Sequence, residues 1–135
     1  MEDRLEPEKA PMIHFIEDEE ILVKMVTLLL QKMRYQVQGF TDPKQAVRRY
    51  QTSPAKPLLV ITDDFTLGEN GVEVINAIRK LEPKQKVLLV SGAGYRLEDC
   101  RWQAYPDLLL PMPYNKATLL AAVKTLLKED LAERS

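Results

Sequence analysis

The 135 residues carry 19 Lys and Arg against 20 Asp and Glu, with a pI near 5.9, and fit one domain with a single sizeable core. That balance leaves no basic excess to hold a polyanion and argues against direct nucleic-acid binding. The lone Cys100 excludes an internal disulfide and fits a reducing, cytoplasmic compartment, and no apolar run approaches a membrane span.

Residues 1–11 are acidic and polar, unlike a secretory signal, and read as a flexible leader. Met12 to Ile16 is a short apolar run broken only by His14, which fits a central strand. Acids follow at once, and Ile21 to Met33 then has apolar residues at two sets of helical positions. Ile21, Met25, Leu28 and Leu29 form one set; Leu22, Val26 and Leu30 form the other, so the expected helix has a broad apolar face. Glu19 and Glu20 suit its positive end, Lys32 and Arg34 its negative end. Tyr35 to Phe40 alternates, as a strand nearer a sheet edge would. Thr41-Asp42-Pro43 is a helix start, and the helix runs to about Thr52.

Leu58 to Asp63 is an apolar, β-branched run that ends abruptly in two acids, Asp63 and Asp64. It reads as a buried strand that delivers a carboxylate to its own tip. Asn70 to Leu81 is helical, with Val74, Ile75, Ile78 and Leu81 on one face. Lys86 to Ser91 is a further buried strand, ending in a hydroxyl. Gly92 to Gly94 is a loop, and Leu97 to Ala104 is a weak helical pattern. Asp107 to Leu110 is a fifth strand, stopped by Pro111-Met112-Pro113. Asn115 caps a last helix with Leu119, Val123, Leu126 and Leu127 inward. The domain spans 12–128, and residues 129–135 read as a charged tail that frays.

Strand and helix alternate five times. That pattern predicts an α/β fold with a doubly wound parallel sheet of (βα)5 type, in the flavodoxin-like order 2-1-3-4-5. In that order the first and third strands are neighbours. Their tips carry Glu17, Asp18 and Asp63, with Asp64 as a rival for the last place, and Ser91 ends the next strand along. Carboxylates this close disfavour joint ionisation unless a cation intervenes. Hard oxygen ligands that fill part of an octahedron suit Mg²⁺, and an acid beside Mg²⁺ can accept a phosphoryl group.

The chain resembles receiver domains of two-component response regulators over about Pro11 to Lys128. The resemblance lies in Ile13 to Glu19 with its acidic pair, in Asp63 with Gly71 eight residues on, in Ser91-Gly92, and in Met112-Pro113-Tyr114, which stands where the family usually has Lys-Pro-Phe. It implies that Glu17 and Asp18, with Asp63, hold Mg²⁺. It also implies that Asp63 is phosphorylated by a histidine kinase or phosphotransfer protein, and that Ser91 bonds the phosphoryl oxygens. The family spacing to Gly71 favours Asp63 and leaves Asp64 as a surface acid. The Leu59 to Asp63 run with Gly71-Val72-Glu73 also resembles receivers fused to hybrid sensor kinases. The bond before Pro113 is expected to be cis, as the matching bond often is in the family.

The departures from the family pattern are specific. Met112 replaces a lysine and offers a weak thioether acceptor but no donor. At about 4 Å and an effective dielectric near 20, one such charge pair is roughly 4 kcal/mol before desolvation. Leu109 stands at the switch position that often holds an aromatic residue, and Leu67 stands where proline is usual. These motivate an alternative reading as a pseudo-receiver, a protein-binding module indifferent to phosphate. An enzyme is not expected. Asp18 and Glu20 have the spacing of a haloacid dehalogenase phosphatase, but the threonine and lysine of that chemistry are missing. His14 reads as a packed histidine, and Cys100 as inert. Trp102, Tyr105 and Tyr114 are read first as packing. Otherwise they mark the face made by the fourth helix, fifth strand and last helix (α4-β5-α5 in the family) as a site for an output partner or homodimer.

Overall fold

The computed structural model describes residues 10–64, 71–91 and 106–134, with side chains in the last helix through Leu127. Its strands are β1 (Met12–Ile16), β2 (Gln36–Phe40), β3 (Leu59–Asp63), β4 (Lys86–Ser91) and β5 (Leu108–Pro111). The helices are α1 (Glu20–Lys32), α2 (Pro43–Thr52), α3 (Gly71–Leu81) and α4 (Lys116–Arg134). The strands form one parallel sheet in the order β2-β1-β3-β4-β5, as the alternation predicts. The expected helix at 97–104, Asn70, Leu67, Cys100, Trp102 and Tyr105 lie outside the described residues.

Strand alternation divides the core into two layers. Ile13, Phe15, Leu59, Ile61, Leu88 and Val90 pack with α1 and α4. Ile16, Val60, Val87 and Leu89 face the other way, onto Ala46 and Tyr50 of α2 and Val74, Ile75 and Ile78 of α3. The central strands are covered on both sides, which is why they read as unbroken apolar runs. His14 belongs to the second layer: it is buried, edge-on to the rings of Phe40 and Tyr50.

The helix ends follow the sequence signals. The Asp42 side chain accepts from Lys44 N–H at 3.0 Å, with Pro43 in the first turn of α2. At α4 the Asn115 side chain accepts from Thr118 N–H at 2.9 Å, and Thr118 Oγ1 accepts from Asn115 N–H at 3.0 Å. The C-terminus of α1 closes with paired bonds, Tyr35 N–H to Leu30 O at 3.2 Å and Arg34 N–H to Gln31 O at 2.9 Å. That motif wants glycine at its left-handed position, yet Arg34 holds it with φ 72°.

Two expectations change. The broad apolar face of α1 is only half used: Val26 and Leu30 are buried, whereas Ile21, Met25 and Leu28 are 70%, 60% and 60% exposed. A helix resting on one sheet presents a single stripe to it, and these three residues lie off that stripe. The second change is in α4, whose backbone stays helical to Arg134 instead of giving way to a tail after Lys128. Leu131 and Ala132, like most residues of this segment, are good helix formers.

Candidate functional site

The carboxyl ends of β1 and β3 meet because those strands are paired, Ile16 opposite Thr62. Glu17 follows β1 directly. Its N–H donates to Phe40 O at 2.9 Å, which carries the strand one residue past its end, and its side chain turns back so that Oε2 accepts from Glu19 N–H at 2.8 Å. The carboxyl group is thereby fixed at the start of α1, with Glu17 only 4% exposed. Asp18 beside it is exposed, and Asp63 ends β3 half-buried. One carboxylate oxygen from each of Glu17, Asp18 and Asp63 lies within 4.8 Å of the others. The three predicted ligands are brought together.

Burial and mutual repulsion act together on these carboxyl groups. Glu17 is pushed up to about 8, chiefly by burial, then by its hydrogen bond with Asp18 and the charges of Asp63 and Asp18; the Glu19 N–H pulls the other way. Asp63 is also raised, chiefly by burial. Asp64 N–H and the Glu17 carboxyl group oppose that rise, and the charges of Asp18 and Asp64 add to it. The cluster thus holds a proton at neutral pH unless a cation replaces it. Hard oxygens at this spacing, charged in excess, fit Mg²⁺.

Gly71 explains why its spacing from Asp63 matters. A Cβ there would lie 2.8 Å from the Asp63 carbonyl oxygen and 2.7 Å from Leu89 Cδ1. The first turn of α3 is seated directly on the strand tip, and only a residue without a side chain fits.

Ser91 ends β4 and is buried. Its hydroxyl does not point at Asp63: Oγ donates to Asp64 Oδ2 at 3.3 Å. Asp64 is therefore half-buried and engaged, not the surface acid expected of it. Successive residues at a strand end project to opposite sides, so two neighbouring acids can serve two different partners. The doublet Asp63-Asp64 was the available signal, but nothing in the sequence links Asp64 to Ser91.

Met112 follows β5, its N–H donating to Ser91 O at 3.0 Å, and the Met112–Pro113 bond is cis as expected. Met112 is 40% exposed and lines an apolar groove of about 430 Å³ with Leu22, Met25, Leu29, Tyr114 and Leu119. Leu109 lies in β5 and packs, partly buried, against the α2–α3 layer. Tyr114 packs against the opposite layer, and its hydroxyl is raised by burial and by the charges of Glu17 and Asp63. Tyr114 thus packs, as expected, within electrostatic range of the acids.

Comparison with known proteins agrees with this geometry. Residues 13–124 match the family described as the response regulator receiver domain. The chain is similar to the Chemotaxis protein CheY of Thermotoga maritima, 32% identical over 81 residues that make up 58% of this chain and 65% of that protein. The match thus spans slightly less than two thirds of that relative. A CheY-like response regulator receiver domain protein from Methanospirillum hungatei superposes with a TM-score of 0.82 at 21% identity, over 93% of this chain and 99% of that one. The receiver domain protein from Clostridium thermocellum gives 0.80 at 19%, over 90% and 98%. A response regulator receiver protein from Sinorhizobium medicae gives 0.76 at 26%, over 89% and 96%.

Proposed function

Because the chain belongs to the response regulator receiver domain family of two-component signalling, we propose that Asp63 is its phosphoacceptor. A histidine kinase or phosphotransfer protein supplies the phosphoryl group, and Mg²⁺ is required. The observation that carries this reading is the convergence of Glu17, Asp18 and Asp63 oxygens within 4.8 Å at the carboxyl end of adjacent central strands. Glu17, Asp18 and Asp63 would hold the ion, which supplies charge neutralisation for the transferring group. An Asp63 oxygen forms the bond to phosphorus as the bond to the donor's imidazole nitrogen breaks, leaving an acyl phosphate on Asp63 and a free histidine on the donor. Ser91 supplies the hydroxyl that bonds a phosphoryl oxygen once it turns from Asp64. Phosphate alters partner affinity only through contacts that differ between two states, and catalysis of any other reaction is not part of the role.

The role fits the cytoplasm, where phosphodonor proteins of this class act, and no helix among the described residues is long and apolar enough to cross a membrane. The output partner, or a second copy, would meet the face around β5 and its flanking helices.

With a histidine phosphodonor or a small phosphodonor and Mg²⁺, the chain should gain an acid-labile, base-labile label that maps to Asp63 by mass spectrometry. Met112→Lys should speed that labelling, because it restores a cation where a thioether now stands. Mg²⁺ binding without any label, together with partner binding that survives Asp63→Asn, would instead assign the pseudo-receiver role.

A further inference from the structure

We propose that Asp64 is a positioning residue that holds the Ser91 hydroxyl away from Asp63 in the resting protein and gives it up when Asp63 carries phosphate. The inference rests on the reading of Asp63 as phosphoacceptor and adds to it a residue that the three-carboxylate cluster does not include.

Two contacts tie the pair together. Asp63 lies opposite Val90 in the β3–β4 ladder, and Asp64 N–H donates to Val90 O at 3.0 Å, which extends that ladder one residue past β3. The backbone thus brings Asp64 alongside Ser91, and Ser91 Oγ donates to Asp64 Oδ2 at 3.3 Å. Ser91 is buried, so its hydroxyl must give its proton to a protein acceptor or a ligand. A serine hydroxyl has one proton to donate. The bond to Asp64 and a bond to a phosphoryl oxygen therefore compete for the same proton, and Ser91 can donate to a phosphoryl oxygen only after leaving Asp64. The Met112 side chain, unlike the lysine usual at that position, has no proton to donate in its stead.

Removing the acceptor should tilt this competition toward the phosphoryl group. Beryllofluoride with saturating Mg²⁺ is the probe, and isothermal titration calorimetry is the readout. Asp64→Ala should tighten beryllofluoride binding about three- to tenfold, the range of a typical net hydrogen bond. Asp64 also places negative charge near Asp63, so its removal would strengthen anion binding by electrostatics alone. Two further variants separate the causes. Asp64→Asn removes the charge but keeps an acceptor, and should gain much less than Asp64→Ala. In a Ser91→Ala background, Asp64→Ala should gain nothing. Equal gains from Asp64→Ala with and without the Ser91 hydroxyl, or equal gains from Asn and Ala, would overturn the proposal.

A measurement on the unaltered chain covers the case in which Asp64→Ala does not fold. The Asp64 side-chain carboxyl ¹³C resonance should shift on adding beryllofluoride, and should shift much less in Ser91→Ala, where only the charge of the bound anion acts on it; the same shift in both would refute the latch. If the unaltered chain binds Mg²⁺ but no beryllofluoride, the phosphoacceptor reading itself falls, and the inference falls with it. Binding by the unaltered chain with an Asp64 effect independent of Ser91 removes only the inference.

Discussion

The two ends of the sheet solve opposite problems. At the amino end, polar groups are answered by one another. Tyr50 OH donates to Gln85 Oε1 at 2.7 Å, although the residues are 35 positions apart. Arg79 donates through Nε to Gln85 O and through Nη2 to Asp107 Oδ2, both at 2.9 Å, and the same Asp107 oxygen accepts from Val87 N–H at 2.7 Å. Lys56 donates to Tyr50 O and lies 4.7 Å from the centre of its ring. At the carboxyl end, Glu17, Asp18 and Asp63 share a small volume with no lysine at Met112 to answer them. A lock that closes on itself contributes stability, whereas a cluster of like charges costs stability unless a proton or a cation offsets it.

The contrast predicts substitutions of opposite sign. The largest effect is expected from Asp63→Asn, which should abolish labelling and most Mg²⁺ binding. It should also raise the urea stability of the metal-free protein, by about 1–2 kcal/mol, because a crowded carboxylate is gone. Loss of stability on that change would show that the cluster is not strained.

Next is pH, where β1 and the residue that follows it carry opposite tendencies. His14, buried beneath Phe40 and Tyr50, is lowered from 6.5 to about 4 by burial and by the nearby charges of Arg49 and Lys56. Its contribution is complete above pH 6.5 and is lost as pH falls toward 4, up to about 3 kcal/mol for a shift of this size. Glu17, raised from 4.5 to about 8, acts in reverse: the metal-free protein loses stability as pH climbs between those values. Saturating Mg²⁺ should abolish only the Glu17 part. Urea titrations from pH 4 to 8.5, with and without Mg²⁺, check this; identical curves would refute the assignment.

At the amino end, Tyr50→Phe should cost about 1–3 kcal/mol by leaving buried Gln85 without its donor, with little change in labelling. The smallest effect is expected at the end of α1. Arg34→Gly should stabilise by roughly 0.5–1 kcal/mol, because glycine holds a left-handed φ without the steric penalty. A shift in the urea midpoint at constant slope measures it.

What could be read from the sequence follows from the range of each interaction. Parallel strands covered on both faces announce themselves as runs such as Leu59-Val60-Ile61, so strand order and the placement of Glu17, Asp18 and Asp63 were accessible. Asp42 and Asn115 were accessible too, because a cap is a contact between residues two or three apart. Contacts across the sheet were not. Tyr50 with Gln85 and Ser91 with Asp64 join residues whose types suit many partners, and only helix packing in the first case and strand pairing in the second brings them together. The apolar pattern of α1 has a different weakness: it counts greasy positions without saying which of them the sheet covers, and so it draws a broad apolar face of which Ile21, Met25 and Leu28 remain exposed.

Gly71 gives the two ends a common member. Helix α3 starts against the Asp63 carbonyl and extends eleven residues, about 16 Å, toward the opposite end, carrying Arg79 into the lock on Gln85 and Asp107. It is a strut butted against the tip of β3, with its far end pinned by the Arg79 hydrogen bonds, so a backbone shift at Asp63 is expected to be felt at both ends of the sheet.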